Sequence, residues 1–140
     1  MRAAVVVRPI DPAPLLAEVS RTANGAVLLF LGTVREVNEG RAVTGIEYSA
    51  YLAMAERELS AIVAEAAHCF ETLDIVVEHR LGRLALGETS VAIAVAHPRR
   101  AGAYEASRWV IEELKRRVPI WKLEEYVDGA REWVAAGGAA

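Results

Sequence analysis

The order of elements legible in the sequence, β-α-β-β-α-β-β-α-β-β, predicts an α+β fold with a mostly antiparallel sheet and helices packed on it. Three observations carry that expectation. Between residues 52 and 70 apolar side chains recur at helical spacing, and a second helical period runs from Ala103 to a stop at Pro119. Between those helices, two β-rich runs, 75–81 and 89–97, are joined by Gly82 to Glu88, whose two glycines suit a turn between antiparallel neighbours.

Taken in order, Ala3 to Val7 is a first strand. Asp11-Pro12 is a helix start, a capping carboxylate followed by a proline whose fixed φ suits the first helical position, for a helix running to about Arg21. Asn24-Gly25 turns the chain. Ala26 to Val34 is long and β-branched enough for a buried strand, which ends in the polar loop Arg35 to Gly40, and a second strand follows over about 42–48. The next helix has its stripe at Leu52, Ala55, Leu59, Ile62, Val63, Ala66, Ala67 and Phe70. Glu56, Arg57, Glu58 and Glu65 lie off the stripe. In the last helix the inward positions read as Tyr104, Ser107, Ile111, Leu114 and Val118. Ile120 to Val127 then forms a strand that turns at Asp128-Gly129 into Glu132-Trp133-Val134. One domain over residues 1–134 is expected, with a disordered tail of small residues at 135–140.

A 140-residue chain that is 54% apolar can bury a core of its own. Its longest apolar run, Ala26 to Leu31, is too short to cross a bilayer, and the start of the chain lacks the apolar stretch and cleavage site of a signal peptide. A cytoplasmic protein with no membrane contact is expected. A single cysteine, Cys69, excludes an internal disulfide and a CxxC pair, and the three histidines show no ligand spacing, so no bound metal is expected. The net charge of −3 argues against nucleic acid as a partner. Residues 99–122 run the other way, with seven cations against three glutamates, which suits a small anion or an acidic partner.

Of the 16 basic residues 14 are arginine, so the two lysines, Lys115 and Lys122, stand out. Arginine stays protonated under ordinary conditions, whereas a buried or crowded lysine amine sheds its proton and becomes a base or a nucleophile. The two lie seven residues apart across the Pro119 break, where the turn can fold both toward one pocket. Arg116 and Arg117 would depress their pKa if they faced the same way. The plain alternative is a surface charge at a helix C-terminus and an outward residue of a strand.

The segments Phe30-Leu31-Gly32-Thr33-Val34-Arg35, Ile46-Glu47-Tyr48, His79-Arg80-Leu81-Gly82, Ala103-Tyr104-Glu105-Ala106 and Val118-Pro119-Ile120-Trp121-Lys122-Leu123-Glu124 resemble, in order and over about residues 3–134, the large subunit of the molybdopterin synthase family. The most specific element is Pro-Ile-Trp-Lys with a lysine seven residues before it. This resemblance implies an α/β-hammerhead-like fold and a sulfur-transfer enzyme converting cyclic pyranopterin monophosphate (precursor Z) into dithiolene-bearing molybdopterin. It implies that the chain binds no cofactor, the sulfur arriving as a thiocarboxylate on the C-terminal glycine of a small ubiquitin-like subunit. It also implies a heterotetramer with two copies of this chain at its centre. Carried over by position, Lys115 sits beside the inserted glycine tail and Lys122 beside the pterin as acid-base groups. Thr33, Val34, Arg35, Arg99, Arg100, Leu123 and Glu124 bind substrate, the arginines gripping its phosphate. Glu124 either holds Lys122 charged or orients the pterin, with an ordinary strand ion pair as the alternative.

One departure qualifies this assignment. The family has a His-Arg pair before the Ala-Phe/Tyr-Glu-Ala helix start, whereas this chain reads His97-Pro98-Arg99-Arg100, with Arg99 where the histidine is expected. Arginine can hold a phosphate but cannot shuttle a proton near neutrality. A non-catalytic module that binds an acidic peptide tail or a phosphorylated ligand is therefore the competing reading. A thiol enzyme built on Cys69 and His68 is a third, disfavoured because adjacent helical residues diverge by about 100°.

Overall fold

The computed structural model describes residues 1–134, and the tail expected at 135–140 lies outside the described residues. The elements are β1 (Arg2–Val6), α1 (Pro12–Val19), β2 (Ala26–Thr33), β3 (Val37–Asn38), β4 (Arg41–Ala50), α2 (Leu52–Phe70), β5 (Ile75–Arg80), β6 (Gly82–Ala85), β7 (Thr89–His97), α3 (Arg100–Arg117), β8 (Ile120–Tyr126) and β9 (Arg131–Val134). The α+β class holds. Two short strands are additional to the sequence reading: β3 inside the polar loop, and β6 within residues 82–88, read from sequence as a turn only. The segment around Leu84 is a strand because it hydrogen-bonds to β4 and buries Leu84 completely.

The strands form two sheets rather than one. In the first the order is β1-β5-β7-β2, with β1 parallel to β5 and the other pairs antiparallel; the second runs β3-β4-β8-β9 with β6 also on β4. Helices α2 and α3 cover one face of the first sheet. Ile75 and Val77 of β5 and Val91, Ile93 and Val95 of β7 meet Leu59, Ile62 and Val63 of α2 and Ala106, Val110 and Leu114 of α3 in the larger core. The other face of the sheet carries Val76, Ala92, Ala94 and Ala96 under Leu15 and Val19 of α1. Alternation along β5 and β7 thus serves two cores at once, which is why both strands read as continuous apolar runs.

Local chemistry sets the helix ends. Asp11 caps α1 by accepting from the Ala13 amide at 3.1 Å. Helix α2 ends with Glu71 in the left-handed region at φ 54. Helix α3 begins at Arg100, three residues before the start read from sequence, and buries Ala103, Ala106, Ser107, Val110 and Leu114. Its inner face is therefore turned from the expected one: Tyr104 is exposed, and the small Ala103 and Ala106 lie fully buried against the core.

His97, at the end of β7, ties this region together. Its Nε2 donates to the Phe70 carbonyl at 2.9 Å, and its Nδ1 accepts from the Arg99 amide at 3.0 Å, closing α2 and opening α3 with one neutral ring. A Cβ at Gly102 would stand 2.3 Å from that imidazole. Gly102→Ala must displace the ring and break both bonds. A loss of about 1–3 kcal/mol is expected in urea unfolding, and an unchanged midpoint would mean that His97 is not lodged as described.

Candidate active site

Helix α3 and the second sheet close on a cavity of about 240 Å³. Gly32 and Thr33 enter it from the end of β2, Arg35 from the following loop and Asn38 from β3. Val43, Ile46 and Tyr48 come from β4, Ser90 and Val91 from the start of β7, Ile111 and Lys115 from α3, and Lys122 and Glu124 from β8. Each placement follows from a local period. Ile111 and Lys115 are four apart and share a helix face, and Lys122 and Glu124 are two apart and share a strand face. The antiparallel register sets Tyr48 opposite Lys122 and Ile46 opposite Glu124. The two lysines therefore line one pocket from opposite walls.

They differ electrostatically. Lys122 Nζ lies 3.4 Å from Glu124 Oε1. Glu124 is 2% exposed, and its other oxygen accepts from Asn38 Nδ2 at 2.6 Å and from the Tyr126 hydroxyl. Asn38 Oδ1 in turn takes Arg35 at 3.4 Å, while the Arg41 guanidinium sits 3.6 Å over the Tyr126 ring. Lys122 thus belongs to a satisfied buried polar network. Among the described residues no carboxylate lies within ion-pair distance of Lys115, and burial, then the charge of Lys122, pull its pKa below the ordinary lysine value. Arg116 and Arg117, read as contributors to that depression, face elsewhere: Arg116 pairs with Glu113, and Arg117 with Glu58 and Glu65.

Of the residues singled out from sequence, Lys115, Lys122, Thr33, Arg35 and Glu124 line the cavity. Val34 lies beside it but is buried in the core. Leu123, between two pocket-facing neighbours, alternates to the opposite side of β8 and is also buried. Arg99 and Arg100 are the clearest displacement. They line a separate hollow with Gly25, Pro98 and Ala101 at the far end of β7, roughly 23 Å along the strand from Ser90 at ~3.3 Å per residue. The cationic segment 99–122 therefore does not form one patch. Cys69 is exposed on α2 and lines none of this cavity, which removes structural support from a Cys69–His68 pair. Among the described residues no cluster of three or more His, Cys, Asp or Glu has the arrangement of a metal site, and no helix is long and apolar enough to cross a membrane.

Asn38, Tyr48 and Ser90 are site residues that sequence reading did not single out. Tyr48, 8% exposed, is held neutral to higher pH by burial and packs edge-on against His79, with ring centroids 5.3 Å apart. His79 is 2% exposed, and burial drives its pKa down to about 4 from 6.5. Above pH 6.5 neither the folded nor the unfolded chain protonates this ring, so it has no effect on stability there. Between pH 6.5 and 4 the unfolded chain binds the proton first. Stability is therefore expected to fall by about 3 kcal/mol over that window on account of His79. Urea titrations at stepped pH check this against His79→Gln, in which that contribution to the slope should vanish.

A family model described as MoaE protein matches residues 5–117 of the chain. The molybdopterin synthase catalytic subunit of Halalkalibacterium halodurans is 40% identical over 133 residues, covering 95% of this chain and 85% of that protein. Its counterpart in Emericella nidulans is 40% identical over 124 residues, covering 89% of this chain, which spans only 64% of that longer protein. Among solved structures, molybdopterin synthase from Staphylococcus aureus superposes with a TM-score of 0.88 at 35% identity, covering 94% of this chain and 95% of the other.

Proposed function

Because this chain belongs to the MoaE protein family, we propose that it is the catalytic subunit of a molybdopterin synthase, working in the cytoplasm. In this reading it moves sulfur from the thiocarboxylated C-terminal glycine of a small ubiquitin-like subunit onto cyclic pyranopterin monophosphate. The observation that carries the proposal is the pair of lysines on opposite walls of one pocket, one ion-paired and one not, with Arg35 lining the same cavity. The chain brings no cofactor, and the sulfur is delivered by the partner.

The geometry supports a division of labour. Arg35 offers a fork of N–H donors to the substrate phosphate. Lys122, ion-paired with Glu124, holds developing negative charge on the pterin or donates a proton to it. Lys115, whose amine is the readier to lose its proton, is the base beside the glycine tail and the nucleophile that would trap an acyl intermediate. Thr33 orients polar substrate atoms, while Val34 and Leu123 act from the core by holding the loop that bears Arg35 and the strand that bears Lys122. Arg99 and Arg100 line a hollow apart from this pocket, so in this reading the phosphate falls to Arg35.

The competing reading, a module that only binds an acidic tail or phosphorylated ligand, draws on one observation: His97 has both ring nitrogens engaged in structural bonds, and arginine stands at 99, where the family histidine is expected. Reconstitution separates the two. The purified chain, thiocarboxylated small subunit and cyclic pyranopterin monophosphate should yield molybdopterin, read as its oxidised fluorescent derivative. Tail binding by calorimetry without product, where a competent synthase supplies product in parallel, would select the binding module instead.

A further inference from the structure

Strand β3 is only Val37–Asn38, and it exists because the chain turns back through Glu39 and Gly40 into β4, with Asn38 opposite Arg41. Both turn residues have positive φ, 50° for Glu39 and 78° for Gly40, the pair of left-handed conformations that a tight two-residue hairpin requires. Asn38 is thereby set at the last position before the turn, against the end of β8. Its hairpin partner secures that placement: the Arg41 guanidinium lies 3.6 Å over the Tyr126 ring.

The Asn38 side chain bonds two charged groups of the cavity at once. Its Nδ2 donates to Glu124 Oε2 at 2.6 Å, and its Oδ1 accepts from the Arg35 guanidinium at 3.4 Å. Which end faces which follows from donor chemistry. A carboxylate paired with an ammonium only accepts, so the NH2 group must face Glu124, and the carbonyl oxygen is left for a donor. Glu124, 2% exposed, turns its other oxygen to Lys122 at 3.4 Å. One neutral amide therefore joins Arg35 to the Glu124–Lys122 pair, and all four residues line the cavity. Aspartate, which only accepts, could keep the bond to Arg35 but not the one to Glu124. The other titratable groups at this place are Tyr126, whose hydroxyl lies 3.5 Å from Nδ2 and donates to Glu124, and Arg41, which is taken by Asp128 and Glu132.

We infer that Asn38 is a positioning residue for both halves of the site: its amide holds Glu124 so that the second carboxylate oxygen meets Lys122, and it holds the Arg35 guanidinium in fixed relation to that pair. The separation of the phosphate-binding group from the Lys122 amine is then set by one side chain. The roles of Arg35 and Lys122 toward substrate rest on the proposed function, whereas the link between Asn38 and Glu124 is a property of the chain alone.

Asn38→Asp tests that link, because it replaces the donor facing Glu124 by a second carboxyl of nearly the same shape. Two carboxyls in hydrogen-bond contact keep a proton between them, so the folded variant retains a proton that its unfolded chain releases at about pH 4. A folded-state pKa raised in this way stabilises at low pH, and the stabilisation is lost as pH rises. Urea unfolding at stepped pH should therefore show the deficit of Asn38→Asp against wild type widening as pH rises above about 4. Adding Glu124→Gln exchanges carboxyl and amide between the two positions and should make the deficit independent of pH. A deficit of Asn38→Asp that does not change with pH would overturn the proposal. If Asn38→Asp folds at no pH, a cycle of Asn38→Ala and Glu124→Gln decides: coupled losses are expected, and additive ones overturn it. In the reconstituted enzyme Asn38→Ala should lower kcat on the order of 10-fold, the value of a hydrogen bond to a charged group, with a smaller rise in KM because the bond to Arg35 is the longer one. The rate of Asn38→Asp relative to wild type should fall as pH rises, which a general loosening of the fold would not produce. A wild-type chain that makes no molybdopterin, while Asn38→Asp keeps its pH-dependent deficit, would defeat the functional reading alone.

Discussion

Lys115→Met is expected to lower the rate of molybdopterin formation by a factor on the order of 10² to 10⁴, the usual value of a positioned acid-base group, without loss of stability. The methionine keeps an apolar stem in the helix face shared with Ile111 and removes an ammonium whose burial is unfavourable. The thermal midpoint should hold or rise, so that lost activity cannot be ascribed to unfolding. The pH profile supplies the sign. If the neutral amine is the working form, the wild-type rate climbs with pH through a titration lying below that of an ordinary lysine. Lys122→Met should also be impaired, because it removes the amine that Glu124 holds at the pocket wall. A Lys115→Met enzyme with full rate would remove Lys115 from the mechanism.

The largest structural effect is expected at Glu124. Glu124→Ala leaves the Lys122 ammonium, the Asn38 amide and the Tyr126 hydroxyl without their common acceptor in a site where the carboxylate is 2% exposed. Removing one partner of a buried ion pair costs about 3–5 kcal/mol, a large part of the 5–15 kcal/mol typical of a whole domain. Because Lys122 borders the cavity and can turn toward solvent there, the lower end of that range applies. Glu124→Gln keeps an acceptor and should lose much less. Urea unfolding distinguishes the two, and equal stability of Glu124→Ala and wild type would mean that the network contributes nothing.

How much of this was legible in the sequence depended on how local each signal is. Helix α2 and strands β2 and β7 declare themselves through long apolar runs or stripes. Strands β3 and β6 do not, because two or four residues carry no readable period, and β6 exists only through pairing with residues 45–48, far away in the chain. The two lysines were visible by composition and by their place around Pro119, and Arg35 and Glu124 by the motif that contains them. Tyr48 and Ser90 were not, since cross-strand register and the irregularity at Gly32/Thr33 bring them to the cavity. Leu123 shows the opposite failure: strict alternation along β8 already excludes it from the face that bears Lys122 and Glu124. Arg99 and Arg100 matched the motif in sequence, but nothing in sequence revealed that β7 would carry them to the opposite end of the first sheet from the pocket. The helix they open lacks a side-chain cap; the His97 ring bonds the Arg99 amide two residues on, and what lodges that ring is its long-range bond to the Phe70 carbonyl.

The most direct test of the two-lysine pocket as the site is a crystal structure of the chain with cyclic pyranopterin monophosphate bound. The account predicts the phosphate on Arg35 and the pterin between the Lys115 and Lys122 amines, with Glu124 still on Lys122. A ligand held only in the hollow of Gly25, Arg99 and Arg100, touching neither lysine of any copy, would contradict it.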